Sequence, residues 1–179
     1  MENNNSYNIE DLEKLINENS DINMDDINNA QDNKSSLFDI EKKMAIDCFN
    51  KCWDLIDKKD RTHDEDMNMI YLTHASRYHW GNIGSPIEIL RGEWQISHVY
   101  AILENSQMAL FHALESLNIC LDQGVTGFDL AFAYEAAARA YKLLDNTEKY
   151  SQYICLAKIT ASEIEDENDR NYTLSQLNF

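Results

Sequence analysis

The feature that most constrains this chain is an apolar period of about 3.6 residues, running almost unbroken from Leu37 to the end. One proline and five glycines in 179 residues leave few places to interrupt it, and no segment shows sustained alternation of period two. The reading is an all-α fold of about six or seven antiparallel helices. The expected spans are 38–58, 63–80, 86–103, 106–122, 128–144 and 147–165, with a last short helix from about Asn168 to 177. Boundaries follow from local chemistry. Thr62 with Glu65 three residues on forms a capping box. "GNIGSP" ends the second helix, and Pro86 suits the first turn of the third.

Residues 1–37 are rich in Asn, Asp and Ser. Such a composition buries too little apolar surface to offset the entropy of ordering, so a disordered acidic tail is expected ahead of a helical domain at 38–179. Within the tail, Ile9, Leu12, Leu15 and Ile16 fall at helical spacing.

The formal net charge of −17 makes phosphate backbones and anionic lipid poor partners. No run is long and apolar enough to span a membrane, and no secretory leader is read at "MENNNSYNIE". Cys48, Cys52, Cys120 and Cys155 lie in apolar helical contexts without a CxxC pair, so they read as core thiols in a reducing, cytoplasmic setting.

Two hairpins align on each other. Tyr100 and Leu103 close the first helix of one, and Tyr141 and Leu144 close that of the other, 41 residues on. A short polar turn follows each, then a helix carrying small residues (Ala109 and Ala113; Ser151 and Ala157). Ile96, Ser97, Tyr100 and Ala109 in one copy, and Ala137, Ala138, Tyr141 and Ala157 in the other, resemble the tetratricopeptide repeat (TPR). The match departs from that family in lacking the repeat-ending proline, in Ser97 or Ala138 replacing the usual glycine, and in exceeding the usual ~34-residue period. The longer string "RYHWGNIGSPIEILRGEWQISHVY" is also similar to a group of small bacterial proteins, which implies no activity. The TPR resemblance implies a short α-solenoid that binds a protein or peptide along its first helices.

On that expectation, Arg91, Gln95 and His98 form one stripe on the third helix, with Trp94 beside it. Phe132, Glu135, Arg139 and Lys142 form the matching stripe on the fifth. Together they would make a locally basic groove for an acidic or carboxylate-bearing partner. The competing reading is that Glu135 and Arg139 are an ordinary i, i+4 surface pair, and that Arg91 is satisfied by Glu88 or Gln95. A second candidate is a small-molecule or catalytic pocket using His74, Arg77, Trp80 and His98. His74 and His79 are five apart and splay on a regular helix, so neither a metal nor any other cofactor is predicted. No nucleophile elbow or phosphate-cradling loop occurs. Self-association into a homo-oligomer stays open.

Overall fold

The computed structural model describes residues 24–178, with side chains from Ser36 onward. Among these every element is an α-helix: α1 Met24–Ile56, α2 His63–Ile83, α3 Pro86–Ile102, α4 Ser106–Asp122, α5 Gly127–Leu143, α6 Thr147–Ser162 and α7 Glu167–Gln176. No described helix is long and apolar enough to cross a membrane.

The chain divides between Ile40 and Glu41 into two units. In the first, α1 begins at Met24, earlier than the expected 38, so residues 24–37 are helical where a disordered tail was expected. No glycine or proline lies between Met24 and Ile56, and each residue added to an existing helix gains a backbone hydrogen bond. The apolar positions at 9–16 lie outside the described residues.

In the second unit the ends of the helices follow from their caps. Arg61 closes α1 by donating from Nη1 to the carbonyls of Leu55, Ile56 and Lys58, while its Nε binds Asp66 at 2.8 Å in the first turn of α2. The Thr62–Glu65 capping box opens α2 as expected, and a second box, Ser85 with Glu88, opens α3 around Pro86. Helix α2 runs three residues past its expected end, and its last turn is closed by the Gly84 amide on the Trp80 carbonyl at 2.6 Å. Asp166, upstream of the expected Asn168, caps α7.

Consecutive helices from α2 to α7 pack against each other, and α5 also touches α3 and α7. Helices α3, α5 and α7 therefore lie side by side. The six alanines of α5 at 131, 133, 136, 137, 138 and 140 are fully buried, and their small side chains let α5 meet neighbours on several sides. The core is a string of small clusters between successive helices, such as Cys52, Met69 and Val99, then Leu90, Leu117, Cys120 and Ala133.

The internal repeat is visible at the hairpin turns. Glu104 and Asp145 both adopt a left-handed backbone, with φ of 57° and 54°. Asn105 and Asn146 follow them, each capping the next helix by accepting from the amide three residues on. The amides of Asn105 and Asn146 donate back to the carbonyls of Tyr100 and Tyr141 at 2.9 and 3.0 Å. The same turn thus occurs twice, 41 residues apart.

A non-glycine residue in the left-handed region costs on the order of 1 kcal/mol. Glu104→Gly and Asp145→Gly should each raise stability by about 0.5–1 kcal/mol in urea unfolding. A loss of stability would show that the acidic side chains contribute more than the backbone strain costs.

Candidate functional site

Two charged networks and one aromatic cavity account for most of the residues singled out in the sequence. The first network joins α2, α3 and α4. Arg77 donates from Nε to Glu93 Oε1 at 2.7 Å, and the other carboxylate oxygen meets His112 Nδ1 at 2.7 Å. Gly92 makes room for this, because a Cβ there would lie 2.8 Å from Arg77 Cδ. Burial works against the Glu93 charge, but the His112 hydrogen bond and the Arg77 charge outweigh it and hold the carboxyl below its usual range. His74 Nε2 reaches the Tyr100 hydroxyl at 3.2 Å, and its ring stands 5.5 Å from that of His112. Burial and the neighbouring His112 lower the His74 pKa.

The second network joins α3 and α5. Glu135 is 4% exposed. It pairs with Arg139 at 3.3 Å and accepts from the Trp94 indole at 3.4 Å. Burial pushes the Glu135 carboxyl up, against the Arg139 charge and the indole bond. The Arg139 guanidinium lies 5.6 Å over the Trp94 ring and donates from Nη1 to His98 Nδ1. His98 stacks on Trp94 at 5.2 Å with an interplanar angle of 8°. Burial, then the Arg139 charge, push the His98 pKa down to about 3, so the ring stays neutral and accepts.

Beside this network lies a cavity of ≈ 320 Å³ between α1, α3, α5 and α7. Phe49 and Trp53 line it from α1, Leu90, Arg91 and Trp94 from α3, and Ser116 from α4. Phe128, Asp129 and Phe132 come from α5, and Tyr172 from α7. The rings form a connected series. Trp53 and Trp94 are 6.0 Å apart, Trp94 and Phe132 5.8 Å, Phe128 and Phe132 4.7 Å, and Phe132 and Tyr172 6.3 Å. The polar members are mostly committed: Ser116 donates to the Leu90 carbonyl, and Arg91 holds Asp129 through Nε and Nη2 at 2.7 and 2.9 Å. A neighbouring cavity of ≈ 330 Å³ shares Phe49 and Arg91 and adds Ile46, Asn50, Trp80 and Glu88.

The expected groove residues are therefore distributed as follows. Arg91, Trp94 and Phe132 line the first cavity. Gln95 turns inward, fully buried, with its amide on the Phe49 carbonyl and on Thr73. His98, Glu135 and Arg139 engage one another behind Trp94 through Arg139 Nη1, while Arg139 Nε and Nη2 are buried without a hydrogen-bond partner among the described residues. Lys142 is exposed, with its ammonium 6.0 Å over Tyr150 on α6. The residues drawn as a second pocket separate: His74 and Arg77 enter the Glu93 network, whereas Trp80 lines the neighbouring cavity. Arg91 pairs with neither Glu88 nor Gln95 but with Asp129, 38 residues on. Cys155 is exposed, unlike the core position expected for it. His112 and Tyr172 were not foreseen. His112 sits among Ala109, Ala113 and Ser116, a stripe of small residues that marks a buried face.

Among the described residues no group of three or more His, Cys, Asp or Glu could hold a metal ion. No protein-family model, curated protein or solved structure matches the chain.

Two outcomes follow from the networks. The folded pKa of His98 lies below the unfolded value near 6.5, so the unfolded chain takes up the proton first. Its contribution is intact above that value and is lost as pH falls toward 3. Urea unfolding should show wild type losing about 1.4 kcal/mol per pH unit more than His98→Gln between about pH 6 and 4; parallel curves would contradict this. Glu93→Ala leaves Arg77 and His112 without their carboxylate, and should cost about 3–5 kcal/mol. A loss under 1 kcal/mol would mean that solvent already screens the pair.

Proposed function

We propose that the chain is a non-catalytic interaction module, a short TPR-like stack of helical hairpins, in which the cavity between α1, α3, α5 and α7 seats a side chain of a partner protein or peptide. The observation that carries this reading is the connected series of rings from Trp53 through Trp94 and Phe132 to Tyr172. Tyr172 is 55% exposed, so the series reaches the surface. Aromatic-lined concavities of this size suit a single bulky apolar group. The packing of α5 between α3 and α7 and the repeated Glu104 and Asp145 turns support the hairpin-stack reading, in which first helices form the binding face.

The enzyme alternative draws less support. His74, Arg77 and His98 line neither cavity and are engaged with neighbours in the fold. Burial pushes the Cys52 thiol up to about 12 and the Cys120 thiol to about 11, which keeps both protonated and poorly nucleophilic. All four cysteines are free, in keeping with a cytoplasmic setting.

Selection from a random peptide library tests the proposal. Selected peptides should lose at least about tenfold in affinity for the double variant Phe132→Ala, Tyr172→Ala. They should bind Phe111→Ala unchanged, since Phe111 is an exposed residue of α4 outside the cavity. Peptides that bind both variants equally well, or a selection that yields none, would reject it.

A further inference from the structure

Resting on that reading, we infer that the partner enters as an uncharged peptide segment, with an aromatic side chain in the first cavity and a main-chain carbonyl accepting from Arg91. The argument starts from how Arg91 is held. Its Nε and Nη2 are spent on Asp129 in a two-pronged contact, which fixes the plane of the guanidinium. The remaining nitrogen, Nη1, has no hydrogen-bond partner among the described residues, and the side chain is 53% exposed. Asp129 therefore serves as a positioning residue that presents the two N–H groups of Nη1 beside an aromatic cavity.

Charge decides which acceptor those N–H groups donate to. Arg91 is already neutralised by Asp129, and Arg139, behind the Trp94 wall, is matched by Glu135. A carboxylate on the ligand would add a negative charge to a rim that already holds Asp129 and, at the second cavity, Glu88, on a molecule of net charge −17. An ammonium would meet Arg91 itself. A neutral carbonyl takes the hydrogen bond without disturbing either pair.

Geometry favours a chain over a free small molecule. Arg91 lines both cavities. In an extended peptide, side chains two residues apart project to the same side, so one can enter each cavity while a carbonyl between them faces Arg91. The second cavity, with Ile46 and Trp80 in its lining, suits another apolar side chain.

The test uses the indole N–H signals of the three tryptophans in a 15N–1H correlation spectrum. Trp53 and Trp94 report the first cavity, and Trp80 the second. Toluene probes ring binding alone, and the peptide acetyl-Ala-Phe-Ala-Leu-Ala-amide adds the main chain. A third probe, acetyl-Ala-Phe with a free carboxylate, adds charge. Toluene should move Trp53 and Trp94. The neutral peptide should also move Trp80 and bind more tightly than toluene by about tenfold or more. Arg91→Gln with Asp129→Asn, which removes both charges of the pair together, should shrink that advantage severalfold, measured as the ratio of peptide to toluene affinity within the same variant. A neutral peptide that gains nothing over toluene, or keeps its gain in the double variant, overturns the inference while the cavity reading stands. A carboxylate probe that binds tightest overturns it in favour of a chain terminus. If no probe moves Trp53 or Trp94, the cavity reading falls as well.

Discussion

Two carboxylates, Glu93 on α3 and Glu135 on α5, decide the charge of the helix faces turned toward the interior. Each sits below 10% exposure and is held against an arginine, Arg77 in one case and Arg139 in the other. Leaving either guanidinium inside without its carboxylate would cost several kcal/mol. Placing both partners inside instead fixes the relative position of α2, α3, α4 and α5 through contacts that tolerate little slippage. The same pairs use up the cations that would otherwise have faced a ligand. What is left at the surface between the odd-numbered helices is aromatic, with one balanced ion pair, Arg91 and Asp129, at its edge.

This arrangement links the buried ion pairs to the cavity through a few side chains. Trp94 is a wall of the cavity, a donor to Glu135, a stacking partner for His98 and a face for the Arg139 cation. A change in the Glu135 network therefore reaches the cavity through Trp94. Phe132 lines the cavity from α5, in ring contact with Trp94, Phe128 and Tyr172. The buried alanines of α5 allow α3 and α7 to approach it closely enough for these rings to meet.

Much of the scaffold was legible in the residues. Thr62 with Glu65, Ser85 with Pro86 and Glu88, and the repeated Tyr-x-x-Leu before a polar turn each act over a few residues, so local chemistry reveals them. The start of α1 was not legible, because the Asn- and Asp-rich composition of 24–37 argued against order while the absence of glycine or proline let the helix continue. The site was legible only in part. Helical periodicity places Arg91, Gln95 and His98 near one another on α3, but does not say how a neighbouring helix turns that stripe. Gln95 went inward because the Phe49 carbonyl and the Thr73 hydroxyl satisfy it there, and those partners lie 46 and 22 residues away. Long-range pairing likewise chose Asp129 for Arg91 and Glu93 for His112. The expectation of a basic groove treated each arginine as though its partner lay on the same helix or nowhere.

The central claim is that the space between α1, α3, α5 and α7 is where a partner side chain enters. A crystal structure with the tightest-binding selected peptide tests it most directly. The account predicts an aromatic ring of the peptide among Trp94, Phe132 and Tyr172, with the Glu135–Arg139 and Arg91–Asp129 pairs intact. A peptide seated on the outer faces of α4 and α6 with that cavity empty, or an acidic side chain that has drawn Arg139 away from Glu135, would contradict it.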